Sequence, residues 1–322
     1  MATTVIGAAE AVLCQIALWW QTYCQFFDPA TLVPAVGGIT DTAIAARVYG
    51  TLLLKWAPVN LALYASLHVI LIATSHYYRD VYTDSGRRLY ILKNLSKSII
   101  LCYLVTLFSP MMHQVLFYNI WPANGVFYEL GTVYVVTDVT GLLLVRLPLR
   151  TRIHHTCVLI LGFCNIMSDY QLDGIHRALI YLTYLSMAAY IVNTYLALRY
   201  VAPEGFNRLL ASAACVVYAI SIGMNMVCQH MAIWTDITNR YYGTSTINQA
   251  MDGVADIADG GWFTSIMGVL GGGYIYAYTA MYWMILMDDM ILLCFLWNNS
   301  WLSSVKTTER GSLLVKKPVK TE

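Results

Sequence analysis

Charged side chains are scarce in this sequence of 322 residues: Asp, Glu, Lys and Arg make up 11%, against a hydrophobic share of 58%. A soluble domain carries about 25% charged residues, so an ordinary water-exposed surface is excluded. The formal net charge is only +1. No cluster of Arg and Lys with interleaved aromatic residues stands outside the loops, which excludes a nucleic-acid-binding surface.

Cysteine is missing from the long loops, where a secreted protein would place its disulfide bridges. All eight cysteines fall within apolar runs, and we interpret them as small core residues. The sequence also lacks a metal-ligand pattern. The neighbouring His154 and His155 point about 100° apart on a helix, so they cannot easily hold one ion. We therefore predict no metal site and no bound cofactor.

Long apolar runs are what the sequence does have. About 20 apolar residues cross a hydrocarbon core about 30 Å thick, at 1.5 Å per helical residue. The pattern predicts an all-α, polytopic transmembrane helical bundle. The predicted spans are residues 5–27, 50–76, 98–121, 126–147, 153–168, 175–200, 207–233 and 266–297.

The connections between these runs alternate in charge. Because Lys and Arg stay on the cytoplasmic side, the alternation predicts a chain that crosses the membrane repeatedly, with both termini in the cytoplasm. The basic connections are 77–97, 148–153, the turn around Arg199 and Arg208, and the tail 302–322; the acidic or uncharged ones are 122–125, 169–174 and 234–261.

A few ionisable side chains stand inside the predicted spans, all in the cytoplasmic half. Such residues are costly in a membrane and mark functional interiors or pair with one another. They are Asp138, His154, His155, Asp288, Asp289 and His68. Similar depth on several helices predicts one polar pocket in which carboxylates orient the imidazoles. The simpler alternatives are a structural pair of Asp138 with one histidine, and a packed His68 whose ring is satisfied locally.

Three stretches resemble the TLC-domain family, a six-helix membrane module that includes ceramide synthases. The run GTVYVVTD ends at Asp138 and is followed by the basic turn and helix start RLPLRTRIHHTCVLILGF. The run LTYLSMAAYIVNTYLALRY is similar to a family pattern that Ser186 and Asn193 match. The entry RRLYILKNLSKSI is also similar.

The resemblance implies a division of the chain. Residues 1–85 would form two N-terminal helices with their loops, residues 86–301 a six-helix TLC-like core, and residues 302–322 a cytoplasmic tail. It also implies a lipid pocket to which Asp288, Asp289, His68, Asn193 and Ser186 contribute. With the basic tail, it predicts an endoplasmic reticulum location. The partners expected are membrane lipids, and homo-oligomerisation stays open.

Three functions remain open from the sequence. The first is binding or handling of a sphingolipid-related or acyl-chain lipid. The second is a ceramide-synthase-like N-acyltransferase with acyl-CoA as co-substrate, for which the resemblance makes His154, His155 and Asp138 the catalytic residues. The chain departs from that branch, since the stretch ALIYLTYLS carries Tyr181 and Tyr184 where a second His and Asp are expected. The third is a channel or transporter.

Overall fold

The structure, a computed structural model, describes residue 39 and residues 41–171, 175–242 and 273–300, with side chains described up to 234 and again from 277, apart from 172–176. The predicted span 5–27, the tail 302–322 and residues 243–261 of the predicted connection 234–261 lie outside these residues. Within them the chain is helical and has no strand. The helices are α1 (Thr42–Thr74), α2 (Ser85–Tyr118), α3 (Asn124–Leu144), α4 (Leu149–Met167), α5 (Ile175–Ser186), α6 (Tyr190–Leu198), α7 (Glu204–Tyr242) and α8 (Gly273–Asn299).

Six helical stretches in the described part are long and apolar enough to cross a membrane. They are α1, α2, α3, the continuous stretch of α5 and α6, α7 and α8. The predicted span 153–168 falls in α4, which is not one of them and whose first four residues include Arg150 and Arg152. The predicted all-α polytopic bundle is confirmed, and the chain is a multi-pass membrane protein.

Helix α2 begins at Ser85, well before the predicted start at 98. Asp84 caps it, because its carboxylate accepts a hydrogen bond from the backbone N–H of Arg87 at 2.9 Å, which satisfies a free helix N-terminal donor. The prediction that residues 85–97 form a loop was therefore wrong. Lys93 and Lys97 stand inside the helix and are buried.

The predicted span 175–200 is interrupted. A 3₁₀ turn at Met187–Ala189 separates α5 from α6, and residues Arg177–Leu198 form one continuous helical stretch across it. A π-helical turn at Tyr77–Val81 lies between α1 and α2.

Two glycines bring helices close together. A Cβ at Gly131 on α3 would lie 2.6 Å from the side-chain nitrogen of Asn165 on α4, and a Cβ at Gly162 would lie 2.7 Å from the hydroxyl of Tyr49 on α1. Small residues of this kind let membrane helices approach closely. Helices α1, α3 and α4 therefore pack closely, and both glycines line the cavity described below.

Candidate functional site

A cavity of about 420 Å³ lies among helices α2 to α8. This size falls within the range of small-molecule sites. Its charged and ionisable lining residues are Lys93, Lys97, Arg150, His154, His155, Arg199, Asp288 and Asp289. Apolar walls come from residues that include Val135, Val158, Leu161, Leu179, Leu182 and Ile285.

Polarity changes along the length of the cavity. On α4, the lining residues run from Arg150 through His154 and His155 to Leu161 and Asn165. At 1.5 Å per helical residue, Arg150 and Asn165 are about 22 Å apart along the axis. The cavity is therefore elongated, with ionisable groups near the start of α4 and largely apolar walls beyond them.

Asp138 is the centre of one ionic cluster. Its side chain is 0% exposed, and Lys97 donates a hydrogen bond to its Oδ1. The Nδ1 of His155 lies 3.0 Å from the same oxygen, at ion-pair distance. On the other side of the ring, Nε2 of His155 lies 3.3 Å from Nζ of Lys93. Asp138 thus stands behind Lys97 and His155, which line the cavity.

His154 belongs to a second cluster, with helix α8. Its Nδ1 lies 3.2 Å from Asp288 and 4.0 Å from Asp289. Arg150 approaches the other oxygen of Asp288 at 2.6 Å, and the hydroxyl of Tyr218 donates to Asp289 at 2.6 Å. The ring centroids of His154 and His155 are 5.4 Å apart, so the two clusters are adjacent.

Most of the predicted polar residues come together here. Asp138, His154, His155, Asp288 and Asp289 form the two clusters, and Ser186 and Asn193 line the same cavity.

His68 is placed elsewhere and does not line this cavity. Its Nδ1 lies 2.8 Å from the hydroxyl of Tyr78, which belongs to a smaller apolar cluster with Tyr64 and Leu67. The ring is satisfied locally, as the simpler alternative expects.

Several residues of the site were missed from the sequence. Lys93 and Lys97 were interpreted as loop charges, although their i, i+4 spacing places them on one face of a helix. Arg199 was interpreted as part of a basic turn, yet it lines the cavity. Tyr218 was not distinguished from the many other tyrosines.

A separate ionic pair joins α1 and α3 outside the cavity. Nζ of Lys55 lies 2.5 Å from a carboxylate oxygen of Glu129 and 5.6 Å from the ring centroid of Trp56. The Lys55 side chain is 5% exposed and that of Glu129 30%. Neither residue was singled out from the sequence.

In the part of the chain that the structure describes, no three His, Cys, Asp or Glu side chains are grouped so as to hold a metal ion. Comparison of the chain with protein-family models, with curated proteins and with solved structures returned no match. The geometry of the cavity is therefore the basis for the function considered next.

Proposed function

We propose that this membrane protein binds an amphiphilic lipid, with the polar head at the ionic clusters and the acyl chain along the apolar part of the cavity. The observation that carries the proposal is the change of polarity along one elongated cavity. A ligand with one charged end and one apolar chain matches that distribution. Apolar walls with a few convergent polar groups are typical of small-molecule sites.

The polar end suits a headgroup that carries both donors and acceptors. Arg150 and Arg199 offer guanidinium donors, whereas Asp288 and Asp289 offer carboxylate acceptors. An amino alcohol or a carboxylate can be satisfied there, which fits a sphingoid base or a fatty acid.

The proposal includes the TLC-like family and an endoplasmic reticulum location. The family likeness is supported by the motif residues, since Ser186, Asn193 and His155 line one cavity and Asp138 contacts His155, whereas the location rests on that likeness and on the basic tail 302–322. These motif residues lie on three separate stretches of sequence.

Binding is tested with the purified full chain in detergent, titrated with a fluorescent sphingoid base and, separately, a fluorescent fatty acid. Leu182→Trp fills the apolar part of the cavity, so we expect saturable binding to be lost. The matched control is Leu209→Trp, at an α7 position that is 60% exposed, and it should bind like the wild type. Equal binding by the two variants, or no saturable binding by the wild type, would contradict the proposal.

A second function is favoured by the two histidine–carboxylate contacts at the cavity. In an acyl-CoA-dependent N-acyltransferase, the amine of a long-chain base attacks the thioester carbonyl, a C–N bond forms and the C–S bond breaks. A histidine oriented by a carboxylate accepts the amine proton, and the thiol of coenzyme A leaves. His154 beside Asp288 and His155 beside Asp138 have the residue types for this step.

Acyl transfer is tested by incubating the protein with acyl-CoA and a long-chain base and measuring the amide product by mass spectrometry. We expect His155→Ala to abolish the product, while Leu209→Trp retains it. Product formation that His155→Ala leaves unchanged would remove this function without affecting the lipid-binding proposal.

A further inference from the structure

Lys93 is a buried amine at the cavity that neither proposed function uses. Its side chain lines the cavity, and the residue is 5% exposed. Among the described residues, no carboxylate lies within ion-pair distance of its Nζ. Lys97, one helical turn further along α2, forms an ion pair with Asp138 instead.

This arrangement favours the neutral form of the Lys93 amine. A buried ammonium is costly unless it is paired, and here a second cation stands one turn away. Lysines that are desolvated or placed beside another cation are the ones that act as nucleophiles toward carbonyl groups. Lys93 meets both conditions.

The polar neighbour of Lys93 is suited to proton transfer. With the proton of His155 on Nδ1, facing Asp138, the Nε2 atom accepts an N–H from Lys93 across 3.3 Å. The lone pair of the amine then remains available for a carbonyl carbon. Asp138 acts on the ring rather than on the substrate, and so is a positioning residue.

The backbone of α3 helps to place the amine. A Cβ at Gly141 would lie 3.0 Å from Cε and 3.4 Å from Cγ of Lys93. The lysine side chain thus runs directly against the helix surface on its way to His155. A side chain at position 141 would displace the amine without removing it.

We propose that Lys93 forms a reversible imine with a long-chain aldehyde held in the cavity, which rests on the proposed binding of an amphiphile there. The amine attacks the carbonyl carbon and a C–N bond forms, while His155 accepts one proton from the nitrogen and passes it to the carbonyl oxygen, which becomes a hydroxyl. His155 then accepts the second proton from the nitrogen and delivers it to that hydroxyl, so that the C–O bond breaks and water leaves. One amine and one aldehyde give one imine and one water, with no oxidant or reductant.

The test treats the purified full chain with one equivalent of hexadecanal, reduces any imine with borohydride, and locates the modified lysine by peptide mass spectrometry. We expect the label at Lys93, and its loss in Lys93→Arg. Lys55→Arg is the matched control, because Lys55 is equally buried but lies outside the cavity, and it should keep the label. Propanal, which lacks the long chain, should give no preference for Lys93.

Gly141→Ala provides a second variant that retains the amine, and we expect it to label more slowly than the wild type. A label spread over all lysines, or one at Lys93 that propanal reproduces equally, would overturn the imine. Hexadecanal labelling that fails while Leu182→Trp still abolishes fluorescent lipid binding would overturn the imine alone. Failure of both measurements would overturn the amphiphile site as well.

Discussion

The described helices bury ionic groups in two regions that differ in how cations and carboxylates are matched. At Lys55 and Glu129, one cation meets one carboxylate at 2.5 Å, outside the cavity. At Asp138, one carboxylate serves both Lys97 and His155, while Lys93 has no carboxylate at ion-pair distance in the described residues. A matched pair can hold two helices together, whereas a buried amine beside a cavity, with no carboxylate at ion-pair distance, is available to a ligand.

The largest effect is expected for Asp138→Ala, which tests the region around Asp138. The substitution leaves Lys97 buried without its carboxylate, and breaking a buried ion pair costs about 3–5 kcal/mol. We expect that loss in the free energy of unfolding, measured by titrating detergent-solubilised protein with SDS and following its circular dichroism.

The control for this variant is the double substitution of Lys97→Met with Asp138→Leu, which removes both charges. It should recover most of the lost stability, since apolar replacement of a buried pair is often neutral or stabilising. Equal losses in the single and double variants would show that charge imbalance is not the cause.

Glu129→Gln tests the other region, the pair of Lys55 and Glu129. It removes the charge that Lys55 contacts but keeps a hydrogen-bond acceptor, and the position is 30% exposed. We expect a smaller loss, about 1–3 kcal/mol, in the same unfolding titration. Fluorescent lipid binding should be unchanged, and a fall in binding would join the two regions into one functional site.

The smallest effect is expected for His68→Gln, which alters the 2.8 Å contact with the hydroxyl of Tyr78. A single hydrogen bond contributes about 1 kcal/mol. Tyr78→Phe removes the same bond, so the two substitutions together should cost little more than one. Additive losses, or weaker lipid binding in His68→Gln, would place His68 in a different role.

Hydropathy predicted most of the described spans, because the length of an apolar run is set by the thickness of the membrane, but the predicted span 153–168 falls in α4, which is not among the six stretches long and apolar enough to cross. The predicted spans 126–147 and 207–233 match α3 and the central part of α7. The start of α2 was missed, since the basic residues after Asp84 were assigned to a loop. A helix continues through them where each lysine finds a buried partner or a cavity.

The position of each site residue along its helix could be predicted from the sequence, but the direction in which its side chain faces could not. The expectation of a shared polar pocket follows from the need of a costly group in a membrane segment for polar neighbours; in the structure His154 and Asp288 line one cavity, and Asp138 stands behind His155. His68 has a similar predicted depth but faces Tyr78. Depth follows from position along a helix, whereas the facing direction depends on how neighbouring helices pack, which the sequence pattern does not give.

The 3₁₀ turn at Met187–Ala189 sets the angular phase between the two halves of its segment. In an unbroken α-helix, at about 100° per residue, Arg199 would lie about 160° around the axis from Leu179. Three residues at about 120° each add about 60° of rotation and reduce that separation to about 100°. The 3₁₀ turn therefore rotates α6 relative to α5. As a result, the guanidinium of Arg199 lies closer to the side of the segment that carries Leu179 than it would in a regular helix.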